Sequence, residues 1–544
     1  MNNIPTETEI EILSKLVNND ELVAPMFVCQ KWKSILEQRI QYISKLKYMK
    51  IIASNGYYNL VCWAHSNGAE VDEDVISNAA ENGHLDLVKW LRSIGCDWDE
   101  AVCTNAASNG HLEVLKWARL NGCLWNELVC TMAAYYGHLD IIKWARANGC
   151  EWDSRTSLNA AEGGHFEILK WVHENGCELD GNVCSCAAEC GNLEMLKWAR
   201  SNGCEWDYWV CLNAVRGGHF EMLKWARQNG CEWNSQICNE AAAYGYLEIL
   251  IWSYENGCEL DNNICRYAAQ YGHLDALRWA RLNGCSWDVD VCSNAAFGGH
   301  FEVLKWAHEN GCLWDGAACR NAIRMDHLNI YEWLVENGCP IDHTSATCAA
   351  SKGHLNIIKQ IHANNRFLTG QANDCHLDRQ VYREAASNGH LDILQWGMEN
   401  GYEPDESICM SAARGGHLEI LKWLREKNCP WDSNTCYYAA LGGHFEILKW
   451  AISNGCSYAT ASSGAAHGGH LRILRWLRLT DCLFNEDTCV HAAKGDNLNV
   501  LRWLRLNNCP WNQRTCEIAF SNTNTRMIRW LNKNNCPGAY DEND

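Results

Sequence analysis

The sequence predicts an all-α solenoid made of one helix pair copied many times. Three observations predict it. The phrase Ala-Ala-x-x-Gly-His-Leu-Glu-Ile-Leu-Lys-Trp recurs down almost the whole chain, each copy has apolar residues at helical spacing, and no segment has the two-residue period of a strand. Taking the His of Gly-His as phase marker, His84, His111, His138, His165, His219, His273, His300, His327 and His354 fall on a grid of twenty-seven residues. Asn192 and Tyr246 fill the two vacant points, and the grid reaches back to Tyr57. After nine extra residues it resumes at His390, His417, His444 and, one residue short, His470. Asn497 and Asn524 close it, making eighteen copies.

The copy that spans residues 99–122 shows how each element is specified. Asp99 supplies an N-cap, Val102, Cys103, Ala106 and Ala107 form one apolar stripe, and Gly110 takes the left-handed stop, which defines a short first helix. From His111 to Gly122, Leu112, Val114, Leu115, Trp117 and Ala118 share a broad apolar face. Glu113, Lys116 and Arg119 are left outside, which defines a second helix. The link Gly122-Cys-Leu-Trp-Asn126 returns the chain to the next first helix. Helices this short are marginal alone, so each pair must bury its stripe on its neighbours. Seventeen copies have Trp six residues after the marker, Gln360 being the exception, and nine have a second Trp in the link, such as Trp98, Trp125 and Trp152. Read as buried rings of about 150–250 Å², these tryptophans would each contribute about 4–6 kcal/mol before entropy and form the spine of the array.

The phrase Ala-Ala-x-x-Gly-His-Leu-Glu-[Val/Ile]-[Leu/Val]-Lys, followed by Leu-x-x-x-Gly-Cys, resembles the ankyrin repeat and covers roughly residues 41–536. The chain departs from that family in unit length. Ankyrin units have about 33 residues with a projecting hairpin, whereas only eleven residues separate Gly95 from Ala106 here, so the hairpin is expected to be shortened or absent. This form is similar to the Trp- and Cys-rich ankyrin-like arrays of large DNA viruses, mimivirus-like, and of some protists. The resemblance implies a protein-binding array inside a cell, in host cytoplasm if the source is viral.

Residues 4–36 do not match the repeat. Ile10, Ile12, Leu13 and Leu16 form a helical apolar stripe after Ile4-Pro5, and Leu22, Phe27 and Val28 lead into Cys29 and Trp32. This segment resembles an F-box: Ile4 stands at the family's Leu, and Pro5, Glu7, Ile12, Leu13, Leu16, Val28, Cys29 and Trp32 match its pattern. The resemblance implies docking on a Skp-type adaptor of a cullin ubiquitin ligase, with the repeats selecting a target. The same residues also suit a cap that shields one end of the solenoid. The two roles are compatible. The organisation expected is thus residues 1–40 as an F-box-like segment, 41–536 as the array with an irregular insertion at 363–386, and 537–544 as a tail. The insertion reads as a longer loop or hinge.

Composition limits the chemistry. With 47% hydrophobic residues the chain is folded, and Lys+Arg 46 against Asp+Glu 66 gives a formal charge of −20. A polyanion is repelled unless basic residues gather on one face, so nucleic acid is not an expected partner. No apolar run approaches the ~20 residues that span a bilayer, so no membrane partner is expected. The 33 Cys read as small buried hydrophobes rather than disulfides or zinc ligands, because equivalent positions in packed copies lie about 8–10 Å apart. The marker histidines, thirteen in all, read as parts of a hydrogen-bonded turn at a helix start. No catalytic residue, cofactor or metal is expected. The expected function is a monomeric, non-catalytic substrate-recruiting adaptor, the alternative being a plain scaffold or sequestering protein. Aromatic and Arg side chains that break the frame in copies three to ten mark the expected target surface: Tyr135, Tyr136, Tyr208, Trp209, Arg216, Tyr244, Tyr267, Tyr271, Phe297, Arg320 and Arg324.

Overall fold

The computed structural model describes residues 45–369 and 377–538, apart from positions 67, 481, 483 and 523. Within them 36 helices form eighteen first-and-second couples, and there is no strand, as the repeat grid requires. The F-box-like residues Ile4, Pro5, Ile12, Leu13, Leu16, Val28, Cys29 and Trp32 lie outside the described residues. Two compact units divide the chain, one holding residues up to 241 together with 246–260, the other 242–245 together with 261 onward. Each unit is a run of helix pairs, in which a first helix packs on its own second helix and on the first helix of the next copy.

Local signals place the helices where the residues ask for them. The Asp99 side chain accepts from Ala101 N at 3.0 Å and starts the first helix, Glu100–Ser108, and Gly110 stops it at a φ of 80°. Val102, Cys103, Ala106 and Ala107 are fully buried, and the second helix, Leu112–Leu120, buries Val114, Leu115 and Ala118. Asn121 then donates from Nδ2 to Trp117 O at 2.8 Å, Gly122 turns left-handed at a φ of 88°, and Arg119 donates to Cys123 O at 3.2 Å. Each residue of the Asn-Gly-Cys exit therefore satisfies or redirects a helix-end carbonyl.

Neighbouring copies are tied by bonds to groups that helix ends leave unpaired. His138 Nε2 donates to the carbonyl of Ser108, the last residue of the preceding first helix, at 3.1 Å. His84 does the same to Ser54 O at 3.0 Å, His273 to Ala243 O at 3.0 Å, and His417 to Ser387 O at 3.1 Å. The expected turn within one copy forms through the backbone, His138 N donating to Ala133 O at 2.8 Å, and the side chain adds a bond across copies; the rings of twelve marker histidines make no capping bond to their own helix. Cys123 Sγ reaches back to Asp99 O at 3.2 Å and Cys177 Sγ to Asp153 O at 3.2 Å, each tying a link to the link before it. The His tie needs close approach. A Cβ on Gly110 would lie 2.8 Å from the His138 ring, and one on Gly298 would lie 2.1 Å from Gln270 O.

The tryptophans do not form the buried core. All seventeen second-helix rings are half-buried except Trp63, which is exposed. Alanine, cysteine and branched aliphatic side chains fill the interior, and helices packed through an Ala pair leave no room for an indole between them. The ring instead lies along the flank. Trp98 meets Trp117 edge-on at 5.9 Å, with the Arg92 guanidinium over Trp98 at 4.6 Å, and the unit recurs as Arg119, Trp125 and Trp144 and as Arg281, Trp287 and Trp306. Each ring pair contributes about 0.5–1.5 kcal/mol beyond its area, far below the full burial expected.

The insertion is partly helical. Its copy lacks the Asn-Gly-Cys exit, so the second helix runs on from Leu355 to Thr369, 15 residues against 9 elsewhere, and the next first helix begins at Arg379.

Replacing His138 with Ala strands the Ser108 carbonyl at a packed junction. The expected cost is about 1–3 kcal/mol, seen as an earlier denaturant midpoint with unchanged helix content. His138→Asn should recover part of the loss, because Asn497 makes the same bond to His467 O at 2.8 Å.

Candidate binding surface

The first helices bury two adjacent pairs of residues per copy and expose the positions between them. In the helix Asn263–Tyr271, burial of Ile264, Cys265, Ala268 and Ala269 turns Tyr267 and Tyr271, one helical turn apart, toward solvent at 40% and 50% exposure. Tyr244, 48% exposed, belongs to the adjacent copy of the same unit. In the other unit Tyr135 and Tyr136 meet edge-on at 4.9 Å, both exposed, and Trp209 is exposed with Tyr208 half-buried against it at 5.1 Å.

The arginines divide. Arg216 pairs with Glu240 at 2.7 Å and lies 5.7 Å from the Trp209 ring centre, and Arg320 pairs with Asp342 and donates to Thr344 Oγ1 at 3.0 Å. Both therefore bridge one first helix to the next. Arg324 is exposed, and Phe297 is half-buried. Arg266, which the sequence reading passed over, bridges in the same way to Asp288 and Asp290. An acidic residue at the matching place in the following copy is the signal that could have found it.

A second polar spot was also missed. On the first helices of the last copies, Tyr437 Oη lies 3.1 Å from His467 Nδ1, and the Tyr437 ring lies against His491 at 5.8 Å. Burial lowers the His467 pKa, with His491 and Lys494 adding to the effect, and burial raises that of Tyr437. The spot therefore holds a neutral imidazole beside a neutral phenol.

Cysteines meet within a copy rather than between copies. Cys409 Sγ lies 3.5 Å from Cys429 Sγ, and Cys103 with Cys123 and Cys130 with Cys150 form the same contact between a first helix and its own exit. The twenty-residue spacing carries this pairing, which the copy-to-copy comparison did not test. Contact with the partner sulfur and burial push Cys103 and Cys130 far up, and burial pushes Cys96 to about 11. Among the described residues no group of three or more His, Cys, Asp or Glu could hold a metal ion. No described helix is long and apolar enough to cross a membrane.

The described residues form an all-α array of helix-pair repeats with this exposed first-helix face. Residues 76–119 and 383–462 match family models for ankyrin repeats, so the chain carries ankyrin repeats over those stretches. Ankyrin repeats are scaffolds for contact with other proteins. The chain matches no curated protein. Among solved structures it is similar to the pentatricopeptide repeat protein PPR10 in complex with an 18-nt psaJ RNA element, at 14% identity over 98% of this chain and 97% of that one, TM-score 0.36. It is also similar to PPR10 from maize, at 14% identity over the same shares, TM-score 0.30.

Thiol burial makes a direct prediction. Cys190 is exposed and Cys62 and Cys348 are half-buried, whereas the other described cysteines are buried. A thiol-reactive disulfide reagent at neutral pH should label Cys190 promptly and the buried set only after unfolding, as read by mass spectrometry of the digested chain.

Proposed function

We propose that this chain is a non-catalytic recruiting adaptor: its first-helix face holds a target protein, and residues 1–40 dock a Skp-type adaptor of a cullin ubiquitin ligase. The observation that carries the recognition half is the exposed aromatic set on the first helices and the turn that ends one of them, Tyr135, Tyr136 and Trp209 in one unit and Tyr244, Tyr267 and Tyr271 in the other. Large rigid rings lose little entropy on binding and supply much contact area, which suits them as interface anchors. The frame around them is repeated and the rings are not, so recognition falls on them. Arg216 and Arg320 serve as supports, because ion pairs to the next copy already hold them. The docking half rests on the resemblance of Ile4, Pro5, Ile12, Leu13, Leu16, Val28, Cys29 and Trp32 to an F-box. Without that half the reading is a plain scaffold or sequestering protein.

Affinity capture from cell extract with the full chain separates the two halves. Tyr267→Ala with Tyr271→Ala should remove a target while cullin components remain. Leu13→Ala with Trp32→Ala should remove the cullin components while the target remains. Identical partner sets for all three proteins would contradict both halves.

A further inference from the structure

Ten of the first fifteen second helices follow a charge rule, the copies marked by Tyr57, Tyr246, His327, His354 and His390 lacking one or both members, and the last three copies depart from it in a row toward positive charge. Two residues after the marker stands an acid, and three residues further a base pairs with it: Glu113 with Lys116 at 2.7 Å, Glu167 with Lys170 at 2.8 Å, Glu221 with Lys224 at 2.8 Å, and Glu419 with Lys422 at 2.8 Å. In the helices Leu471–Leu479, Leu498–Leu506 and Thr525–Lys533 the same two positions read Arg472 and Arg475, Asn499 and Arg502, and Arg526 and Arg529. None of the three helices contains an acidic residue. Like charges three residues apart weaken a helix. A local rule broken at a cost to the fold points to a use outside it.

A groove lies on this face. It has a volume of about 870 Å³ and is lined by Arg502, Arg526, Arg529, Lys533, Asn499 and Trp530, with Asp496 its one acid, already bonded by Asn524 Nδ2 at 2.6 Å. Arg502, Arg526, Arg529 and Lys533 are exposed, and no described carboxylate forms an ion pair with any of them. The same repeat position in the second copy supplies an internal comparison. There a groove of about 920 Å³ carries Asp86 and Lys89, which pair at 3.6 Å, where the later groove carries Arg526 and Arg529. The shape occurs at both places and the charge does not.

We propose that the groove on Leu498–Leu506 and Thr525–Lys533 binds a compact polyphosphate anion, several phosphate groups on one small molecule, either free in solution or as a lipid headgroup. Four cations with no ion pair to a described carboxylate, around a volume suited to a small ligand, call for a dense negative charge. Guanidinium groups take phosphate oxygens two at a time, which a carboxylate on a flexible acidic peptide matches less densely. This site lies apart from the first-helix face and does not rest on the adaptor reading.

The test uses the full chain, with inositol hexakisphosphate and inorganic tripolyphosphate as soluble probes and phosphatidylcholine vesicles with and without phosphatidylinositol 4,5-bisphosphate. The wild-type chain should bind a phosphate probe saturably, more weakly as salt rises. Binding to the free probes assigns a soluble source, and binding confined to the phosphoinositide vesicles assigns the headgroup. Arg526→Glu with Asn499→Glu places at both positions the acid that twelve of the first fifteen copies carry. It should weaken binding by at least about tenfold while the thermal midpoint stays level or rises, so loss of binding cannot be loss of fold. Lys116→Glu with Lys143→Gln makes the same change in net charge and should leave binding within about twofold, since screened distant charges add little. Absence of saturable binding to every phosphate probe, an equal loss in the second variant, or equally tight binding of polyglutamate would each overturn the proposal.

Discussion

How closely one helix pair can approach the next is the constraint on which the rest of this structure depends. Helices of nine residues hold few bonds of their own, and their last carbonyls are left unpaired. The neighbouring copy supplies what is missing. A His side chain reaches the carbonyl that ends the preceding first helix, and within a copy the exit Cys thiol reaches the carbonyl of the residue that caps its first helix. The His reaches only because Gly110, Gly298 and their equivalents have no Cβ in the way and because Ala pairs line the contact. The small residues and the long polar ones of the repeat therefore form one device.

That device accounts for the identity of most conspicuous residues without any chemistry. Marker histidines are hydrogen-bond donors to backbone, exit cysteines are small buried donors, and link tryptophans sit between an arginine and the next indole. Function falls where copies differ while the frame stays fixed. Two such places stand out: the aromatic first-helix face and the cationic groove of the last second helices. A chain of net charge −20 repels polyanions at a distance, yet within a Debye length of about 8–10 Å a local cluster of four cations governs.

Features set by residues near in sequence were legible from the start. Asp99 as a cap, Gly110 and Gly122 as stops and the Val102-Cys103 and Ala106-Ala107 stripe need only local rules, and they recur in most copies. Features set between copies were less so. A helical wheel places Trp117 beside the core stripe but does not show how little room an Ala-lined junction leaves for its ring. Arg216 and Arg320 read as free anchors, although Glu240 and Asp342 in the following copies hold them. The contact of Cys409 with Cys429 was hidden because the relevant spacing lies inside a copy. The charge reversal at Arg526 was visible in sequence, but only the groove gave it a place to act.

The most direct measurement of this account is the nitrogen NMR signature of the marker histidines, which reports where the ring proton resides. Bonds from Nε2 to the preceding copy fix the Nε2-protonated tautomer at His84, His138, His273, His390, His417, His444 and His470. The account predicts one locked tautomer at these positions with coupling across the bond to the carbonyl. Rings that average freely between tautomers, as in an exposed histidine, would contradict it.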